Sequence, residues 1–196
     1  MNSLQVFPVD IFWWDWDGNI NDILEVSKSI HPNHNQIVSQ SNNDIHKKQE
    51  YKKLFEFIEQ CLGKVKNHYN FQCDYLKVTS SWINKYKETS TLNFHRHPMS
   101  AFSGVFFMTG GSPISFKDPI DFRTYQSTIP VSKNDCPYFN LEPIPGRVII
   151  FPWWLEHGVI NFSGERWSLA FNSMPGGKIN SDDHLNLSFA DLEVNG

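Results

Sequence analysis

The sequence predicts a mainly β chain with flanking helices, an α+β protein forming a single domain over residues 1–196. Three observations predict this. From Tyr75 onward, short apolar runs alternate with turn residues, the pattern of many strands. Before them, apolar side chains recur at helical spacing up to about Lys66. Aromatic residues make up 15% of the chain, with seven Trp and sixteen Phe, enough to fill a β-sandwich or open barrel carrying helices on one face.

Residues 1–20 include Val6-Phe7-Pro8-Val9-Asp10-Ile11-Phe12-Trp13-Trp14 and read as an opening strand against the core. Residues 22–30 form a short helix with Ile23, Leu24, Val26 and Ile30 on its apolar face. Residues 31–44, rich in Asn, Ser, Gln and His, read as a loop. Asp44 is placed to cap a long helix to about Lys66, with Leu54, Phe55, Phe57, Ile58, Cys61, Leu62 and Val65 on one stripe. Strands are expected at 78–86, 92–97, 101–108, 114–116, 147–151, 156–162 and 166–173. Gly110-Gly111, Pro143-Ile144-Pro145-Gly146 and Ser163-Gly164-Glu165 turn the chain between several of them. Residues 118–141 read as a long irregular lid or substrate loop, and the polar tail from Gly176 as a surface wrap.

A formal net charge of −4 gives no broad attraction to nucleic acid, and Lys47-Lys48 and Lys52-Lys53 read as a solvated helix face. Cys61, Cys73 and Cys136 are scattered, without CxxC spacing, as free thiols in a reducing interior would be. No basic segment followed by an apolar run opens the chain, and no run is long enough to cross a bilayer. A cytoplasmic protein is the expectation.

His95 and His97 lie one residue apart, so on a strand both imidazoles point to one side. Pro98 ends that strand, which places the pair near a barrel mouth. His157 follows an apolar strand and Pro152-Trp153-Trp154, and so returns to the same mouth. Three imidazoles arranged this way suit a metal with open positions for water, oxygen or substrate. The plain alternatives are exposed or mutually paired histidines and a buried core His157. Arg166 and Ser168 share one strand face with Ala170 and Asn172, while Trp167, Leu169 and Phe171 form the other. A guanidinium fork beside a hydroxyl receives a carboxylate well. The alternative for Arg166 is an edge-strand pairing with Glu165 or Asp118.

These residues resemble the Fe(II)/2-oxoglutarate-dependent oxygenases, whose motif is HxD/E, a distal His, and an Arg, often Arg-x-Ser, nine or ten residues on. The stretches Trp82-Ile83-Asn84, Asn93-Phe94-His95-Arg96-His97-Pro98, Ser103-Gly104-Val105-Phe106-Phe107, Phe116-Lys117-Asp118-Pro119 and 146–172, with Val6-Phe7-Pro8, resemble a group of such oxygenases from marine bacteria and their phages. The resemblance implies a double-stranded β-helix (jelly-roll) core with an N-terminal helical layer, in a bacterial cell or phage-infected host. It implies Fe(II) on His95, His97 and His157, with 2-oxoglutarate as cosubstrate held by Arg166 and Ser168, and O2 in the remaining position. Asn84, Asn93 and Ser103 are candidate polar contacts to the cosubstrate. His97 stands where the family carries Asp or Glu, which removes one negative charge near the metal; Asp118 is the alternative carboxylate. Phe106 and Phe107 lie where some relatives carry a tyrosine that assists cosubstrate binding. Trp153 and Trp154 could shield the metal, form a substrate wall, or serve as core.

Two rival readings stand beside this one. Cupins also combine HxH with a later Pro-x-Gly and His, though residues 98–108 offer no acid for the cupin glutamate. The other rival is a non-enzymatic binding module with a decayed site. The expected partner is a small-molecule or peptidyl substrate.

Overall fold

The computed structural model describes residues 8–30, 38–86, 91–119, 138–160, 164–179 and 187–189. The larger of two sheets runs β1 (Phe12–Asp15), β8 (Arg147–Pro152), β5 (Phe102–Phe107), β10 (Arg166–Ile179), β3 (Cys73–Tyr86) and β2 (Val38–Gln40), with β11 (Leu187–Phe189) also pairing with β10. The smaller runs β4 (Leu92–His95), β9 (His157–Val159), β6 (Ile114–Lys117) and β7 (Tyr138–Leu141). The ladders described are antiparallel. The sheets form the double-stranded β-helix, and α1 (Ile20–Ile30) and α2 (Lys52–His68) belong to a layer on the far face of the larger sheet.

That sandwich explains the uninterrupted apolar runs. A sheet covered on both faces needs apolar residues at both parities, so β5 and β8 are buried almost throughout. Phe102, Phe106, Val148 and Ile150 pack toward the helices with Leu169 and Phe171. Val105, Phe107, Ile149 and Phe151 meet Ile114 and Phe116 of the smaller sheet. Gly104 sits where β5 crosses Phe171: an added Cβ would collide with the Phe171 ring and lie 2.6 Å from the Ile149 carbonyl oxygen. α2 buries Leu54, Phe55, Ile58, Cys61, Leu62 and Val65, a helical stripe in which each large side chain contributes about 1.5–3 kcal/mol. None of the described helices is long and apolar enough to cross a membrane.

Several expectations need correction. Asp44 does not cap the long helix. It precedes a short 3-10 turn without a side-chain cap, and α2 begins only at Lys52 after a second such turn. Contacts to β3 override the local pattern. Asp44 bridges to Ser81, the His46 amide donates to Ser81 Oγ at 2.6 Å, and Ile45 and Tyr51 are buried. The stretch read as a loop contains β2, which pairs with β3. β4 stops at His95 after a register irregularity, so His97 lies beyond the strand. The expected irregular stretch ends in β7, while 120–137 lie outside the described residues. The tail is not all surface coil, since β10 continues to Ile179 and pairs with β11. The opening strand begins at Phe12; Val6, Phe7 and Cys136 lie outside the described residues.

The long β3–β10 ladder shifts register twice, between Asn172 and Ser173 and again between Gly176 and Ile179. Pairing steps from Asn172–Ser80 to Ser173–Val78, leaving Thr79 as an extra residue in β3.

Candidate metal centre

His95 ends β4 and His157 begins β9, and the two pair directly across the ladder. His97 is held two residues further on by its backbone N–H, which donates to the Trp153 carbonyl at 3.2 Å. The three rings come together although one is off the strand. Their centroids lie 4.5 to 5.0 Å apart, and one ring nitrogen from each falls within 4.8 Å of the others.

Each ring has an oxygen acceptor at Nδ1. His95 donates to the Asn93 carbonyl at 2.9 Å, His157 to the Leu155 carbonyl at 3.0 Å, and His97 to Asn172 Oδ1 at 2.8 Å. An oxygen of this kind accepts only, so each Nδ1 carries the proton and each Nε2 presents a lone pair. His95 Nε2 and His97 Nε2 are 3.2 Å apart. Two lone pairs at that distance repel unless a cation lies between them. Two ligands about 2.1 Å from one ion would be about 3.0–3.4 Å apart. Burial holds His157 neutral, pushing its pKa down to about 3, helped by the neighbouring histidines against the Leu155 hydrogen bond. Burial, then the His95 charge, takes His97 down to about 4 against the Asn172 bond. Neutral imidazoles are the form that ligates.

The histidines line a cavity of about 430 Å³, counting its open mouth, whose wall also carries Trp82, Asn84, Tyr86, Arg166 and Ser168. Arg166 is 1% exposed and lies on an interior strand, not an edge. It donates Nη1–H to the Ser112 carbonyl at 2.8 Å and lies between the rings of Phe107 and Tyr86, 5.1 and 5.4 Å from their centroids. Among the described residues no carboxylate pairs with it. Glu165 instead accepts from Trp167 Nε1 at 2.6 Å and lies 3.7 Å from Lys85. Burial lowers the Arg166 pKa, and a buried cation without a counter-ion costs several kcal/mol. Arg166 Nε, Asn84 Oδ1 and Trp82 Nε1 are buried without a hydrogen-bond partner and belong to residues of this one wall. A polar, anionic ligand with donors and acceptors fits such a wall.

Ser168 is buried in the same wall, opposite Asn84 in the β3–β10 register. Two candidates sit elsewhere. The Asn93 side chain is exposed and outside the wall, and only its carbonyl serves the site. Ser103 is not part of the cavity wall; it stands behind the site and donates to Asn172 Oδ1 at 2.9 Å. Asp118 is not in the histidine group; with Arg96, Lys117, Trp154 and Glu156 it lines a separate hollow. Trp153 and Trp154 are partly exposed, so they are rim and not core. Phe106 packs under the helices, whereas Phe107 flanks Arg166. Sequence reasoning missed Tyr86, which sits opposite Arg166 across the ladder, a relation visible only once the register is known.

Residues 80–172, which hold all of these histidines together with Arg166 and Asn172, match the model of a family described as "Putative 2OG-Fe(II) oxygenase". Over that segment the chain is similar to the 2-oxoglutarate/Fe(II) oxygenases. Solved oxygenase structures share its fold. HygX from Streptomyces hygroscopicus, with nickel and 2-oxoglutarate bound, is 10% identical with a TM-score of 0.59, covering 85% of this chain and 83% of its own. A Pseudomonas putida prolyl-4-hydroxylase is 10% identical with a TM-score of 0.59, covering 86% and 94%. The viral collagen prolyl hydroxylase of Paramecium Bursaria Chlorella virus-1, a 2-oxoglutarate complex, is 12% identical with a TM-score of 0.56, covering 83% and 94%. No curated protein sequence matches this chain.

Proposed function

We propose that the protein is an Fe(II)- and 2-oxoglutarate-dependent dioxygenase that hydroxylates a small-molecule or peptidyl substrate. One observation carries the reading: a buried guanidinium, without a carboxylate partner among the described residues, shares a cavity with three converging imidazoles whose Nε2 lone pairs are free. The family match over residues 80–172 and the metal- and 2-oxoglutarate-bound structures of similar fold support it.

In this reading His95, His97 and His157 hold the metal. Arg166 meets the far carboxylate of 2-oxoglutarate, with the Ser168 hydroxyl beside it and Asn84 across the ladder. When bound, iron supplies oxygen activation coupled to oxidative decarboxylation of 2-oxoglutarate to succinate and carbon dioxide, which drives hydroxylation of a C–H bond. The chain's own part is preorganisation. Main-chain and amide acceptors fix the ring tautomers, Phe107 and Tyr86 exclude water around the guanidinium, and the diacid is gripped at the end remote from the metal. A cupin would not need a buried cation at Arg166. With His97 in place of a carboxylate the ligand set is neutral, so zinc, nickel and copper compete with iron more strongly than at a carboxylate site.

Anaerobic calorimetry with Mn(II) followed by 2-oxoglutarate tests the reading. Mn(II) should bind first and 2-oxoglutarate only to the metal-loaded protein, and Fe(II) with O2 should then yield succinate. Failure of the loaded protein to take up 2-oxoglutarate would refute the oxygenase assignment.

A further inference from the structure

Two of the three imidazoles are oriented by main chain close by. The Nδ1–H of His95 and of His157 each finds the carbonyl two residues upstream, at Asn93 and Leu155. His97 has no such partner, because it lies past the end of β4. Its acceptor comes from β10, the side-chain oxygen of Asn172 at 2.8 Å. We propose that Asn172 is a positioning residue that holds His97 in the ligating tautomer, and so makes an imidazole the third ligand where the family carries a carboxylate. The proposal rests on the metal-site reading above.

The amide is clamped on both sides. Its Oδ1 also accepts from Ser103 Oγ on β5 at 2.9 Å, and its Nδ2 donates to Ser80 Oγ on β3 at 3.2 Å. Trp82 stacks on the His97 ring, 5.7 Å between centroids and 15° from parallel, and restrains its rotation. The orientation of this amide decides what the ring can do. With Oδ1 toward His97, the proton sits on Nδ1 and the Nε2 lone pair faces the site. With the amide reversed, Nδ1 would have to accept, the proton would move to Nε2, and at 3.2 Å it would hydrogen-bond to His95 Nε2. Two of the three ligands would then be occupied with each other. A backbone carbonyl cannot make that error, but a side-chain amide can; Ser103 and Ser80 hold the amide in place, and the ring tautomer reads which way it faces. Metal affinity typically falls about 10–100-fold when the group bonded behind a ligating histidine is removed.

The test uses the full chain. Histidine 15N NMR of the metal-free wild type at neutral pH reads the tautomer directly, and His97 should carry its proton on Nδ1. Asn172→Leu removes the acceptor and should weaken Mn(II) and Zn(II) binding about 10–100-fold by calorimetry. Asn172→Asp loses the donor to Ser80 but keeps the acceptor, and should bind both ions at least as tightly as wild type. A merely structural role would penalise both variants alike. An Nε2–H tautomer at His97, wild-type affinity in Asn172→Leu, or an equal loss in Asn172→Asp would overturn the proposal. If Asn172→Leu does not fold, the wild-type tautomer and the Asp variant decide it. If the wild type binds neither ion, the metal site itself is refuted and the role of Asn172 falls with it.

Discussion

Replacing Arg166 with methionine separates what the residue contributes to the fold from what it contributes to the site. The guanidinium is 1% exposed and makes one charge-assisted bond, to the Ser112 carbonyl at 2.8 Å. Losing that bond costs about 1.5–3 kcal/mol. Relieving a buried cation of its desolvation returns several kcal/mol. The two effects oppose each other, and methionine keeps most of the stem packing against Phe107 and Tyr86. The ligand-free variant should therefore unfold within about 2 kcal/mol of wild type, on either side. Binding of 2-oxoglutarate should behave differently. Truncating one partner of a buried charge pair costs about 2–5 kcal/mol, which raises Kd by roughly 30-fold to several thousand-fold. Chemical denaturation of the Mn(II) form, with and without 2-oxoglutarate, reads both quantities. At a free ligand concentration of 100 times the wild-type Kd, wild type gains about 2.7 kcal/mol and the variant should gain at most about 0.9 kcal/mol. Equal stabilisation of both proteins by 2-oxoglutarate would refute the carboxylate-receptor role.

Two further outcomes follow from the same site. His97 and His157 are held neutral in the fold, at about 4 and 3, below the ordinary histidine value of 6.5. The unfolded chain therefore binds more protons below pH 6.5. The metal-free protein should keep its full stability above that pH and lose up to about 1.4 kcal/mol per pH unit for each histidine as pH falls toward 4. Denaturation curves between pH 7.5 and 4.5 should show this, with a shallower slope in His157→Gln; an unchanged slope in that variant would reject the coupling. Gly158 lies where β9 passes β4, and an added Cβ would be 2.6 Å from the Leu92 carbonyl oxygen and 3.2 Å from the Phe94 nitrogen. Gly158→Ala should cost about 1–3 kcal/mol by overpacking and should weaken metal binding by displacing His157, measured by denaturation and calorimetry. Wild-type values in both assays would show that the strands separate freely there.

What could be read from the chain follows the physics of each element. β10 was legible because alternation is a local rule: Arg166 and Ser168 fall on the cavity side, and Trp167, Leu169 and Phe171 in the core. α2 was legible in its interior for the same reason, since its buried stripe repeats at helical spacing. Its start was not, because the cause lies in Ser81 of another strand. β2 carries little apolar signal in its three residues and exists by pairing with the edge of β3. The convergence of the histidines was foreseen from a shared strand, but His97 arrives from the irregular segment beyond β4, held by Trp153 and Asn172. Asn93 and Ser103 were singled out as side chains facing the cosubstrate. One serves through its carbonyl and the other through Asn172, relations that depend on register and not on residue type.

The bulge at Thr79 acts as a frameshift in the pleat. Before it, even-numbered positions such as Leu76 and Val78 look toward the helices; after it Ile83 does so, and Trp82, Asn84 and Tyr86 look into the cavity. One inserted residue thus lets a single strand act as scaffold over its first half and as pocket wall over its second. The two halves can accept substitutions under separate selection, while a one-residue deletion between them would turn indole, amide and phenol into the apolar layer and empty the wall of its chemistry.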